Sequence, residues 1–380
     1  MSRKKILFFA DWFEPGYKAG GPIRSVSNMV SKLSNYHDIY VVTRITDFGS
    51  DIPYDNVEQN KWVDYKGVKV KYLKDENLTQ NRIEGIFEEI QPEFIHLNSM
   101  YSKLFTLLPL KVAKQKRVKV VLAPRGMLGE GALKVKPLKK KLFFVYAKFK
   151  SLYNEVIFHA STENEKKEIL KKFPNSKVKV ALNLVDFKRF EYNPILENKP
   201  KEFLNLVYLS RVSPIKNLKY AIESVLKSKP KREVKFNIYG PIEDERYWEE
   251  CQSIIENTDL ISINYKGEVE HKNVQETFSR YHCLILPTLN ENFGHVFIES
   301  WSVGCAVLIS NNTPWKDLES KNVGWNVDLT QQNEFSNIIT ELSKFTDDEL
   351  ISLVKSSVNF ANQISNDETN IKNNLNLFHG

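Results

Sequence analysis

The residues best suited to chemistry in this 380-residue chain lie in NENFGHVFIESWSVGCAVLIS, Asn290 to Ser310. Two glutamates, Glu291 and Glu299, flank the step Asn292-Phe293-Gly294, with none of the lysines that accompany acids on a solvated helix. The apolar run CLILPT (283–288) precedes them, and a helix is expected to open near Phe293 or Gly294. The first N–H groups of a helix have no partner within it, so the amides of Phe293, Gly294 and His295 are candidate donors to a ligand. If all eight steps between the glutamates were helical, they would stand about 12 Å apart along the axis. That is too far to act on one atom, but suits two hydroxyl-bearing groups at opposite ends of one ligand, because a carboxylate accepts from neighbouring hydroxyls.

The elements that must position these residues alternate along the chain. KILFFAD (5–11), IYVVTR (39–44), EFIHLN (93–98), KVVLAPR (119–125), VIFHAS (156–161) and VKVALN (178–183) read as strands. Helical periodicity fills 22–34, 79–90, 137–152 and 163–172. A polar, proline-containing linker, 193–203, follows. The alternation then restarts with NLVYLSR (205–211), VKFNIYG (234–240), ISINYKG (261–267), CLILPT and AVLIS (306–310), and after Thr330 only helical patterns remain. Near-continuous apolar strands between helices predict parallel sheets covered on both faces, in an α/β fold. Two doubly wound units are expected, 1–195 and 196–362, with a cleft between them and a helical segment, 363–380, packing back on the first.

Ligands of open parallel sheets bind beyond the carboxyl ends of strands, which directs attention to the residues after each run. LSRVSPIKNL places Arg211 and Lys216 on a loop entering a helix, an arrangement suited to a diphosphate. Gly240 ends the next strand and would let a ligand approach the backbone closely. After Gly267, Val269 could pack on a flat base. Cations for a diphosphate, a glycine-lined base pocket and two hydroxyl acceptors together describe a nucleotide-sugar site.

At these residues the sequence resembles a retaining glycosyltransferase of the GT-B fold, in glycosyltransferase family four, over nearly the whole chain and most specifically in ENFGHVFIE. The resemblance implies that Glu299 binds the donor ribose, Glu291 the donor sugar, and Arg211 and Lys216 the diphosphate, with contacts from Asn292, Phe293, Gly294 and His295. Gly20-Gly21, before Pro22, is similar to the family's glycine-rich loop on the donor phosphate; it is not a GxGxxG dinucleotide fingerprint. Where many relatives carry a histidine near the reacting carbon, VVLAPRGMLGEGAL has Arg125. Arginine stays protonated and is no base, so Arg125 is expected to bind a phosphate or acceptor oxygen. Asn183 matches a second family motif, with Leu184 in place of the usual glycine. Arg24, Asn98 and Tyr101 are the candidate acceptor contacts. The expected reaction moves a sugar from a nucleoside-diphosphate sugar to a glycan or lipid-linked glycan hydroxyl, in polysaccharide, lipopolysaccharide or capsule synthesis. No cofactor and no metal are expected. A sugar-nucleotide epimerase of the same shape and a nucleic-acid-binding protein are the competing readings.

Bulk properties bound these expectations. Apolar residues make up 42% and charged residues 27% of the chain, as in a soluble globular protein. The first apolar run stops at Asp11, too soon for a signal-peptide core, and there is no eighteen-residue apolar stretch. Three cysteines without ligand spacing fit a reducing cytoplasm. The net charge of +7 is uneven: residues 101–150 hold fourteen Lys/Arg and one acid, Glu130, or +13, leaving −6 elsewhere. Within 131–153, Lys134, Lys136, Lys139, Lys140, Lys141, Lys148 and Lys150 interleave with Leu142, Phe143, Phe144, Tyr146 and Phe149. That pattern suits a helix on an anionic membrane, at the inner face. It equally suits a helix whose Phe143, Phe144 and Phe149 enter the core, and a nucleic-acid partner would need a module that is not recognisable here.

Overall fold

The computed structural model describes residues 2–55, 57–134, 136–186, 202–331 and 333–379. It divides into two compact units, Met1–Asp186 with Asp367–Gly380, and Phe187–Asn366. The boundary expected at 195, and the linker as far as residue 201, lie outside the described residues. Position 363, where the helical tail is expected to begin, falls inside the helix Asp347–Ser365; the segment grouped with the first unit starts at Asp367.

In the first unit the strands are β1 (Lys5–Phe9), β2 (Asp38–Arg44), β3 (Trp62–Tyr65), β4 (Val68–Leu73), β5 (Phe94–Leu97), β6 (Lys119–Leu122), β7 (Ile157–Ala160) and β8 (Lys177–Val180). They form one eight-stranded sheet in the order β3-β4-β2-β1-β5-β6-β7-β8, parallel except for the β3–β4 pair. The β3–β4 hairpin is not among the strands expected from sequence. Its turn, Lys66-Gly67, has positive φ at both residues (54° and 81°), the two-residue geometry that matches strand twist. Central strand β1 is buried on both faces: Leu7 and Phe9 join one core cluster, and Ile6 and Phe8 the other. That is why the run reads as continuously apolar rather than alternating. The last helix, Glu368–Asn376, leads to Phe378, whose ring meets Phe8, Phe94 and His96 at 6.3, 5.7 and 6.0 Å. Lys4 Nζ donates to the Phe378 carbonyl at 2.6 Å, fixing the tail on this sheet.

In the second unit β9 (Leu204–Leu209), β10 (Val234–Tyr239), β11 (Ile261–Tyr265), β12 (Cys283–Leu286), β13 (Ala306–Ser310) and β14 (Gly324–Val327) form a parallel sheet in the order β11-β10-β9-β12-β13-β14. Five of these strands coincide with expected runs; β14 is an addition at the edge. The chain steps outward from β9 to β11 and then returns to β12 on the other side of β9. That reversal opens a crevice between the loops after β9 and β12, where doubly wound sheets hold ligands. The first sheet reverses in the same way between β1 and β5.

Candidate functional site

The loops after β9 and β12 are stitched together. Leu289 N–H and Thr288 Oγ1 both donate to the Ile215 carbonyl, at 2.8 and 3.0 Å, and Asn217 Nδ2 donates to the Pro287 carbonyl at 3.0 Å. This brings Lys216 to Glu291: Nζ donates to Oε2 at 2.7 Å, with only 13% and 17% of the two side chains exposed. Glu291 Oε1 accepts from its neighbour Asn292 N–H at 3.1 Å. Burial pushes the Glu291 carboxyl up, but the charge and hydrogen bond of Lys216, the Phe293 amide and the nearby His295 outweigh it, so the group is held below the usual carboxylate range. Sequence spacing alone gives no sign that Lys216 and Glu291, 75 positions apart, share a hydrogen bond.

Arg211 does not converge with them. Its guanidinium donates to Glu243 Oε1 at 2.6 Å, both side chains being nearly half exposed. The loop holding Arg211 runs beside the one after β10, with Val212 N–H on the Pro241 carbonyl and Glu243 N–H on the Val212 carbonyl, at 2.9 and 3.1 Å. The helix carrying Glu299 spans His295–Ser302, with Gly294 as its N-cap at φ 78°. A Cβ on Gly294 would lie 2.3 Å from the Phe297 ring, so the fold itself demands glycine there. Gly240 is explained in the same way: a Cβ would come within 1.9 Å of the Ser210 carbonyl oxygen. Its glycine therefore serves the crossing of two strand ends, and close approach of a ligand is not needed to account for it. Val269 is half-buried in the irregular segment after β11. Phe293 is buried, its ring 4.8 Å from His295 and 5.5 Å from Trp315.

In the first unit, Gly20 caps the helix Gly21–Ser34 at φ 66°. A Cβ placed on either Gly20 or Gly21 would meet no described atom within 4 Å, and Gly21 has no positive φ. Among the described residues of the unit, nothing requires glycine at Gly21. Farther along, Arg125 follows β6 with φ 55°. Its guanidinium donates to Asn98 Oδ1 at 3.1 Å and to Asn183 Oδ1, so three strand ends (β5, β6 and β8) meet on one cation. Burial lowers its pKa to about 10, with Glu165 opposing the shift, and the side chain remains protonated at neutral pH. The Glu165 carboxylate is occupied with the loop: it accepts from the Gly126 amide at 2.6 Å and from the Ser161 amide at 2.7 Å. Behind Arg125 lie two buried histidines, His96 Nε2 and His159 Nδ1 at 3.3 Å, with His159 Nε2 bonded to the Ala181 carbonyl at 2.8 Å. Burial and then Arg125 push His159 down to about 3; burial, His159 and Arg125 lower His96 as well.

The other acceptor candidates have separate partners. Arg24 pairs with Glu14 at 2.9 Å. Burial pushes the Glu14 carboxyl up, but Tyr65, Lys66 and Arg24 outweigh it and hold it low. Tyr101 packs edge-on against Phe143 at 5.1 Å. Sequence reasoning misses Asp11 and Arg44, which sit at the carboxyl ends of β1 and β2 and bond at 3.2 Å. Ser102 Oγ also donates to Asp11 at 2.8 Å, while burial is the larger effect and raises the Asp11 carboxyl. Trp12, Arg44, Asp47, Ser50 and Asp75 line a cavity of about 610 Å³ there. The available signal is position: Asp11 and Arg44 are each the first charged residue past an apolar run.

Two Rossmann-like units built on mainly parallel sheets define the GT-B architecture. Residues 191–352, a stretch within the second unit, match the family model described as glycosyl transferases group 1. Among solved structures, the chain is similar to the Anabaena protein HepE in complex with UDP and glucose, at 14% identity and a TM-score of 0.69, over 99% of this chain and 98% of that one. It is similar also to sucrose-phosphate synthase from Thermosynechococcus elongatus, at 15% identity and a TM-score of 0.72, with the same coverages of 99% and 98%. An uncharacterized 41.2 kDa protein in the cps region of Klebsiella pneumoniae is 24% identical over 226 residues, 58% of this chain. The match spans 60% of that relative's length.

Proposed function

We propose that this protein is a retaining, metal-independent glycosyltransferase of family four that moves a sugar from a nucleoside-diphosphate sugar to a hydroxyl of a glycan or lipid-linked glycan. The observation that carries the reading is the Lys216–Glu291 pair at the β9/β12 reversal. There a cation suited to phosphate and a carboxylate suited to sugar hydroxyls are held 2.7 Å apart on loops locked to each other. In this reading Lys216 turns one of its three donors to the diphosphate, and Glu291 accepts from the donor sugar. Arg211 leaves Glu243 for a phosphate oxygen, an inexpensive exchange because an exposed pair contributes at most about 1 kcal/mol. Glu299 takes the ribose, and the backbone at Gly20-Gly21 approaches the donor phosphate. Arg125, a fixed cation with no acidic function of its own, faces a phosphate or acceptor oxygen with Asn98 beside it.

As the bond from the anomeric carbon to the diphosphate breaks, negative charge grows on the leaving group, and preorganised cations and amides stabilise it. The acceptor oxygen bonds to the same face of the anomeric carbon, and its proton passes to the departing phosphate oxygen. The UDP and glucose of the Anabaena complex support a UDP-hexose as the first donor to try. The relative from the cps region supports a surface-polysaccharide acceptor. The cavity lined by Trp12, Asp47 and Asp75 offers an aromatic face and carboxylates to an acceptor sugar, and work at the inner face of the membrane would bring a lipid-linked acceptor within reach. A thermal-shift screen against UDP-, GDP-, ADP- and CMP-sugars tests the donor claim, since a ligand bound to the folded state raises the melting temperature. Stabilisation by one nucleotide class, persisting in EDTA, is the expected outcome; no shift with any of the four would contradict it.

A further inference from the structure

The helix Pro137–Phe149 has two apolar faces, and only one of them meets the protein. Ala147 is buried, and Phe143 and Phe144 pack against the first unit's core. Phe149, which the core-packing expectation placed with them, is instead 82% exposed. It shares the outer face with Leu138, Leu142, Val145 and Tyr146, at 77, 71, 63 and 52% exposure. Five of the 13 exposed large hydrophobics among the described residues thus fall on a single 13-residue helix. At roughly 100° per residue, the five lie within an arc of about 100°, opposite Ala147.

The charges are arranged about this stripe. The same helical geometry puts Lys139 and Lys150 along one flank and Lys141 and Lys148 along the other, all exposed, and 131–153 contains no acid. A contiguous apolar face left to water marks an interaction site. A second copy of the chain is a poor occupant, because symmetric pairing of the stripes would bring two sets of lysines together with no carboxylate from this segment between them. Lysine flanks and an apolar centre do match a surface that is anionic outside and hydrocarbon within. Among the described residues no helix is long and apolar enough to cross a membrane.

We propose that Pro137–Phe149 lies flat on an anionic lipid bilayer, with Leu138, Leu142, Val145, Tyr146 and Phe149 entering the acyl boundary and Lys139, Lys141, Lys148 and Lys150 at the lipid phosphates. The proposal rests on this helix alone and holds whatever donor the protein uses.

Co-sedimentation of the full chain with phosphatidylcholine vesicles, and with vesicles that also contain phosphatidylglycerol, tests it without any sugar substrate. Binding is expected only to the anionic vesicles and should weaken with salt. Leu142→Ser/Phe149→Ser should lower the partition coefficient by at least about tenfold. Lys141→Ser/Lys148→Ser should lower it by about fivefold per lysine. All four side chains are exposed, so melting temperatures should stay unchanged. Phe149→Trp should show blue-shifted emission on anionic vesicles, quenched by brominated acyl chains. The proposal is overturned if the chain ignores anionic vesicles at low salt, or if Leu142→Ser/Phe149→Ser binds as wild type does. It is also overturned if the Phe149→Trp indole escapes quenching, or if the stripe instead drives a concentration-dependent dimer that Leu142→Ser/Phe149→Ser abolishes.

Discussion

Both sheets gather polar groups at the carboxyl ends of their strands, yet two of these clusters are built on opposite plans. In the second unit a cation meets an anion: Lys216 and Glu291 neutralise each other at 2.7 Å, on loops tied by hydrogen bonds to the Ile215 and Pro287 carbonyls. In the first, Arg125 is held by the neutral amides of Asn98 and Asn183, while the nearby acid Glu165 is committed to two backbone amides. The first plan gives a pair that a zwitterionic demand, phosphate on one side and hydroxyl on the other, can draw apart. The second leaves a net positive charge in place, fixed in direction but not neutralised. Neutral amides position a guanidinium without competing for its charge, which is the arrangement needed if the charge is meant for a ligand.

The comparison breaks most sharply at Lys216. Lys216→Ala leaves Glu291 buried without its counter-charge, so stability should fall by about 3 kcal/mol, and transfer by about 10²–10³-fold. Adding Glu291→Gln should recover most of the stability and none of the transfer, which separates the structural from the catalytic part of the pair. Next comes Arg125→Lys, which keeps the charge but cannot reach both asparagines in a planar fork. Transfer should drop by about tenfold or more, and stability by about 1 kcal/mol for each hydrogen bond lost. Equal activity in the lysine variant would mean that the charge matters and its direction does not.

Acidification should separate the units. His96 and His159 are kept neutral in the fold, with His159 titrating at about 3. Below the ordinary histidine value of 6.5 the unfolded chain takes up protons that the folded first unit refuses. Its stability therefore falls as pH drops from 6.5 towards 3, by up to about 1.4 kcal/mol per pH unit for each histidine. Glu291 is depressed, so its contribution to the second unit is present above 4.5 and is lost only as pH falls through its lower folded value. Hydrogen exchange followed across that range should show the first unit opening earlier. The smallest effect belongs to Arg211→Ala, whose exposed pair with Glu243 should change stability by less than about 1 kcal/mol while still raising the donor KM.

Much of this is legible in the sequence, and the reasons differ by element. Strands buried on both faces announce themselves as runs such as KILFF and CLILP, because no solvent-facing position interrupts them. β3 and β14 are illegible because they are short, half-exposed edge strands, while β4 lies inside the sheet and carries a buried lysine, Lys71, where an apolar residue is expected. Glu291, Glu299 and Lys216 stand out because residue type and strand-end position coincide there. Their partners do not, since a contact across 75 positions depends on which strands become neighbours. Gly240 carries two readings for a related reason: a glycine required by a neighbouring backbone looks, in sequence, like one required by a ligand. The aromatic run 142–149 carries both readings at once, and only the helix's rotation against the core assigns Phe143 and Phe144 inward and Phe149 outward.

The central claim, that the Lys216–Glu291 reversal grips a nucleotide-sugar, is tested most directly by isothermal titration of UDP-glucose, and of any donor class found by thermal shift, into the wild-type chain and Lys216→Ala in EDTA. Saturable one-to-one binding by the wild type, weakened by at least about tenfold in the variant, is the predicted result. Binding of undiminished affinity to Lys216→Ala, or none of any nucleoside-diphosphate sugar to the wild type, would contradict the account.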